Sequence, residues 1–173
     1  MNNTHAIAVD RPQLRDRWWV ALGEIVAVAG VIMIAAHIRI PLPWTPIPVT
    51  LQTLPVLAAA FVVGRSRATW GILFYLALGL AGAPMFTMVL GPTVGYLLAF
   101  MAVPWIVTFV KSPAWGLVAA TLAVYVLGTV WLCLWLHTGP WAGLAMAVLP
   151  FIPADAVKAA AAYGIAKRTA REA

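Results

Sequence analysis

The chain is built of apolar runs about as long as a bilayer is thick, separated by short segments rich in proline or basic residues. A transmembrane helix needs about 20 predominantly apolar residues. The first run, Trp18 to His37, carries one carboxylate, Glu24, and opens on the interfacial aromatic pair Trp18–Trp19. Further runs cover residues 49–64, 68–83, 93–110, 114–136 and 141–166, with Pro150 and Pro153 interrupting the last. Those prolines predict a break and a fresh helix from about Pro153. Only 9% of the residues are charged and 64% are apolar, whereas a soluble domain is about 25% charged. This excludes a water-soluble globule, a disordered tail and a collagen-like fibre. A single cysteine, Cys133, excludes a disulfide framework and a multi-cysteine metal site. The expectation is an all-α, polytopic membrane protein. A polar segment, 1–17, precedes one six-helix membrane domain over 18–170, and no small-residue cleavage site marks a removable signal.

The net charge of +6 does not form a nucleic-acid patch, because the basic residues punctuate the apolar runs. With the amino terminus cytoplasmic, nine of them fall on that side: Arg11, Arg15, Arg17, Arg65, Arg67, Lys111, Lys167, Arg168 and Arg171. Only Arg39 falls outside, and Lys158 lies within the last span. The positive-inside rule therefore places both termini in the cytoplasm.

Three segments carry candidate chemistry. Asp155 and Lys158 stand in Phe151-Ile-Pro-Ala-Asp-Ala-Val-Lys158, where each charge costs about 2.5–3.5 kcal/mol to insert. A spacing of three puts them on one helical face, where they can pair with each other or with a ligand. A helix starting at Pro153 has Asp155 in its first turn, near the positive end of the dipole. Broken helices of this kind hold anionic solute groups in midmembrane cavities. In Gly91-Pro-Thr-Val-Gly-Tyr96, Thr-Val-Gly-Tyr matches part of a potassium-channel filter, but Leu97 replaces the second glycine and no pore helix precedes it. Thr93 is instead expected to cap a helix, with Gly91 and Gly95 permitting close approach and Tyr96 either pointing its hydroxyl inward to a ligand or anchoring in the interfacial aromatic belt. The third segment follows four prolines within 41–48 and presents Thr50, Gln52 and Thr53 at the outer end of a helix. These suit a polar solute, or else Thr50 caps the helix and Gln52 faces water. Gly23 and Ala27 form a small-xxx-small face on the first span, suited to helix docking.

No metalloprotease, nucleophile-elbow or phosphate-loop motif is present, so the chain reads as a binding protein and not an enzyme. Four ordered motifs resemble one family. They are Arg39-Ile-Pro-Leu-Pro with Pro48-Val-Thr-Leu-Gln52, Gly82-Ala-Pro-Met-Phe86, Gly91-Pro-Thr-Val-Gly-Tyr96, and Pro150-Phe-Ile-Pro-Ala-Asp155-Ala-Val-Lys158. Together they are similar to BioY, the biotin-specific substrate-binding (S) component of energy-coupling factor (ECF) transporters. Relative to the usual pattern, residues 87–90 make a short connector and Trp44 stands where a smaller residue is common.

The resemblance implies a six-helix fold in a prokaryotic cytoplasmic membrane, with biotin held near the outer face under the proline loop as a lid. It implies no cofactor. Partners would be a transmembrane coupling protein and two ATP-binding-cassette ATPases, with the S component toppling in the bilayer to carry the vitamin inward. Gly23 and Ala27 would dock the coupling protein. Asp155 would accept from a ureido N–H, and Lys158 would donate to the ureido oxygen or neutralise the carboxylate. Tyr96, Thr93 and Gln52 would add hydrogen bonds, while Phe86 and Trp44 would cover the apolar rings. The alternatives are a carrier for another small carboxylated vitamin and a stand-alone transporter without ATPases. A pocket-facing, unpaired Lys158 is the expectation that argues against a mere scaffold.

Overall fold

A computed structural model describes residues 18–82 and 91–172. The first span forms as expected: α1 runs Trp18–His37. A short antiparallel hairpin follows, β1 (Arg39–Ile40) pairing with β2 (Val49–Thr50) through Arg39 opposite Thr50 and Ile40 opposite Val49. This pairing takes up the start of the expected second span, so α2 covers only Thr53–Val63. Gly64, at φ +84°, alone joins α2 to α3 (Arg65–Leu80). A side chain would be strained there, and the turn is tight enough that α3 starts at Arg65 instead of at Ala68.

The expected span over 93–110 is two helices, α4 (Val94–Phe100) and α5 (Val103–Phe109). Pro104 is the cause: it has no amide to donate to the carbonyl of Phe100, and its ring crowds that carbonyl. The fifth span is the unbroken α6, Pro113–Leu136. The expected break in the last segment is present, with α7 (Pro140–Ala147) and α8 (Ile152–Glu172) meeting at a 56° bend. Pro150 and Pro153 fall at this bend, where each would remove a helical hydrogen bond.

By length and composition α1 and α6 are able to cross a membrane unaided, and the bent α7–α8 pair makes a third candidate span. The outer faces of α1 and α6 are apolar and exposed, with Leu22, Val26, Val31 and Ile34 on one and Leu122, Val126, Val130 and Leu134 on the other. Such faces suit lipid and not water. Inside, residues Val56 to Phe61 of α2 are all buried, six in succession. One face of a helix cannot bury six consecutive residues, so α2 is enclosed by its neighbours. It packs against α8, whose inward positions Asp155, Lys158, Ala162 and Ala166 form one stripe.

The registers fix the directions of the helices. Glu24 pairs with Arg67 and Val28 meets Gly71, so α1 and α3 run parallel. Gly95 lies against Leu127 and Trp131 while Gly116 lies against Val107, so α4–α5 run antiparallel to α6. A Cβ at Gly95 would approach the Leu127 carbonyl to 2.5 Å, which only glycine avoids. At one end, Arg65 stacks over Trp105 and Phe109 at the close of α5, 4.4 and 5.4 Å from their ring centres. The start of α2, the hairpin and the α7–α8 bend gather toward the opposite end, where the cavity lies.

Candidate functional site

α2 is half the length of a span and α8 starts below the bend. Neither reaches the hairpin end of the bundle, and a cavity of about 440 Å³ occupies the space there. Its volume falls within the ~300–1,000 Å³ of small-molecule sites. The hairpin contributes Arg39, Pro41, Thr45 and Ile47 to its lining. Ile47 is buried in a small cluster with Tyr125, Leu132, Ala147 and Phe151, separate from the main core, and this cluster seats the hairpin over α6 and the bend.

The floor is a hydrogen-bonded cluster drawn from three helices. Lys158 Nζ lies 2.7 Å from Asp155 Oδ1, each side chain 8% exposed. It also donates to Thr53 Oγ1 at 3.0 Å. The Thr53 hydroxyl in turn donates to Asp155 Oδ1 at 3.2 Å, and Tyr125 donates to Oδ2 at 2.8 Å. Two buried charges are thus paired and hydrogen-bonded, the condition under which burial is tolerated. The expectation of an unpaired Lys158 is therefore corrected: one turn of α8 brings its ammonium back onto Asp155. Such a pair can orient a helix as well as bind a solute, so pairing alone does not separate a scaffold from a receptor. Its position in a cavity of ligand size, with donor and acceptor capacity left over, favours binding.

Gln52 and Tyr96 also line the cavity. Gln52 accepts from Thr50 at 3.0 Å and donates to the Tyr75 hydroxyl. It stands half-buried at the start of α2 without a side-chain capping bond, and Thr50 lies in β2 and does not cap α2. The inward Tyr96 hydroxyl donates to the Ala147 carbonyl at 2.8 Å, tying α4 to the end of α7. Thr93 reaches the cavity but makes no side-chain capping bond. Its own backbone is helical (φ −90°, ψ −7°), whereas a capping side chain needs an extended residue. Trp44 is not brought to the site: it is 62% exposed and does not line the cavity. Phe86 and the 87–90 connector lie outside the described residues. Gly23 and Ala27 are exposed on the outward face of α1, away from the cavity.

Glu24, the unexplained acid of the first span, pairs with Arg67. Sequence reasoning passed over Tyr75, Tyr125 and Arg39, all of which line the cavity. One signal for Tyr125 was available: Thr121, Tyr125 and Thr129 recur every four residues in an otherwise apolar span, marking one polar face of α6.

The BioY family profile matches residues 11–173, nearly the whole chain. The chain belongs to the BioY family. A probable biotin transporter BioY from Pyrococcus horikoshii is 36% identical over 136 residues, 71% of this chain and 80% of that protein. The biotin transporter BioY of Thermotoga maritima is 32% identical over 153 residues, 80% of this chain and 89% of the relative. Among solved structures, the S-component for biotin from an ECF-type ABC transporter superposes with a TM-score of 0.79. It covers 90% of this chain and 93% of that one at 24% identity, and therefore shows a shared fold. Membership in the family sets the half-filled bundle and its broken last segment among transporters.

Proposed function

We propose that this BioY-family protein binds biotin in the outer half of the membrane and delivers it inward as the S component of an ECF transporter. The observation that carries this reading is the Asp155–Lys158 pair on the floor of the cavity beneath the hairpin. An ionised carboxylate has about four lone-pair positions and an ammonium three N–H donors. Lys158, Thr53 and Tyr125 take three positions on Asp155, and Asp155 and Thr53 take two donors of Lys158. One acceptor position and one donor remain, which match a ureido N–H and its C=O. A ligand carboxylate at this floor would sit against Asp155, a like charge. It is better placed away from it, beside Arg39 in the hairpin, which lines the cavity and is exposed.

The helix directions support six crossings with both termini on the basic, cytoplasmic side, α4–α5 and α7–α8 each making one broken crossing. Arg65 beside Trp105 and Phe109, just before Lys111, agrees with that side being cytoplasmic. Coupling and ATPase subunits would supply the energy, since the reading gives this chain only the binding step, and Gly23 and Ala27 would meet the coupling protein. Purified protein should retain tritiated biotin stoichiometrically, and mass spectrometry should find biotin that copurifies. Failure to bind biotin, or displacement of it by an unrelated carboxylated vitamin at equal or lower concentration, refutes the assignment.

A further inference from the structure

Three tyrosines line the cavity, and their hydroxyls serve different ends. Tyr75 accepts from Gln52 and Tyr96 donates to the Ala147 carbonyl. Tyr125 alone among them bonds the Asp155 carboxylate. The residue is 9% exposed and packed in the cluster with Ile47, Leu132, Ala147 and Phe151. A phenol has few rotatable bonds, so a packed ring fixes where its hydroxyl points. Tyr125 is therefore a rigid donor standing on α6, the longest helix among the described residues.

The division of donors between the two carboxylate oxygens gives this residue its meaning. Lys158 and Thr53 both bond Oδ1. With those two alone, the carboxylate can turn about its last side-chain bond and present either oxygen to a ligand. The Tyr125 contact at 2.8 Å to Oδ2 holds the second oxygen from a different helix. The carboxylate plane is then set from α2, α6 and α8 together, leaving one lone pair of Oδ2 in a defined direction.

We infer that Tyr125 is the positioning residue that orients Asp155 for a ligand N–H, so that the affinity for the ureido group depends on a hydroxyl that need not touch the ligand. This rests on the biotin reading above. A hydroxyl acting through Asp155 affects only ligands that use the Asp155 contact, whereas a hydroxyl that merely steadies the fold affects all ligands alike.

The test is binding of tritiated biotin to wild-type protein and to Tyr125→Phe, which keeps the ring and its packing, with competition by the two isomers of biotin methylated at one ureido nitrogen. Biotin should bind the variant at least tenfold more weakly. The isomer that lacks the Asp155 contact should hold its wild-type affinity within about threefold, and this also shows that the variant is folded. Equal losses for biotin and both isomers would overturn the positioning role while leaving biotin binding in place. No binding of biotin to wild-type protein would instead refute the reading beneath it. If the methylated isomers bind too weakly to rank, Tyr125→Phe is measured in an Asp155→Asn background. An unchanged biotin affinity there supports the inference, and a second tenfold loss refutes it.

Discussion

Whether the Asp155–Lys158 pair binds a ligand or only orients α8 is decided by removing its charges singly and then together. Each side chain is 8% exposed and the two lie 2.7 Å apart. Stranding one partner of a buried pair costs about 3–5 kcal/mol, whereas replacing both partners is often nearly neutral. Lys158→Met leaves Asp155 with two hydroxyl donors, Tyr125 and Thr53, so its stability loss should sit near the lower bound of ~3 kcal/mol. Asp155→Asn strands the ammonium against neutral acceptors and should lose at least as much. In the double variant no charge is stranded: the asparagine oxygen can accept from Tyr125 in place of Oδ2, and its amide can donate to the Thr53 hydroxyl that Lys158 no longer occupies, so stability should return to within about 1–2 kcal/mol of wild type.

Biotin affinity should not return with it. Hydrogen bonds to charged groups contribute about 1.5–3 kcal/mol each, and 1.4 kcal/mol is a factor of ten. Losing the Asp155 and Lys158 contacts together should therefore weaken binding by at least ~100-fold. Thermal melting in detergent, followed by size-exclusion fluorescence, measures the first quantity, and equilibrium dialysis with tritiated biotin the second. A double variant that is stable and binds biotin within threefold of wild type would refute the site, leaving the pair as a helix-orienting device.

Three further variants have outcomes set by the packing. A Cβ at Gly128 would lie 2.4 Å from the Tyr96 ring, so Gly128→Ala must push that ring from its seat and break its bond to the Ala147 carbonyl. Overpacking of this kind costs about 1–3 kcal/mol, and calorimetry should show both a lower melting temperature and roughly tenfold weaker biotin binding. Trp44→Ala should leave the biotin Kd within about threefold, because the ring is exposed and outside the cavity lining, while Gln52→Ala should weaken it about tenfold by removing its hydrogen bonds with Thr50 and Tyr75.

Much of the architecture was legible because a bilayer imposes a length and a polarity on every segment crossing it. The first and fifth spans are long apolar runs without internal proline, and their helices match the expected bounds to within a residue or so. The break before α8 was legible from Pro150 and Pro153. The break between α4 and α5 was equally present in Pro104, but a single proline near the middle of a span can also be absorbed as a kink. The hairpin was not legible, since two-residue strands leave no alternating pattern to read.

The site divides along the same line. Asp155, Lys158, Gln52 and Tyr96 were recognisable as polar groups in apolar surroundings with motif neighbours. Trp44 stands exposed and outside the cavity lining, a placement that its motif position could not give because a motif carries no side-chain direction. Glu24 found its partner 43 residues away in Arg67, a distance at which sequence spacing is silent.

What the sequence determined by itself was the medium, the helical class and the presence of two opposite charges three residues apart in an apolar segment. Each of these follows from local quantities: run length, proline position and the cost of burying a charge. Which groups meet was decided only by the tertiary structure. Thr53 and Asp155 are 102 residues apart and Tyr125 and Asp155 are 30 apart, yet all converge on one carboxylate. The physical reason is that α2 is short and α8 starts below a bend. Their ends therefore stop at the same depth, opposite the middle of α6, where a hydroxyl on an unbroken helix can reach them.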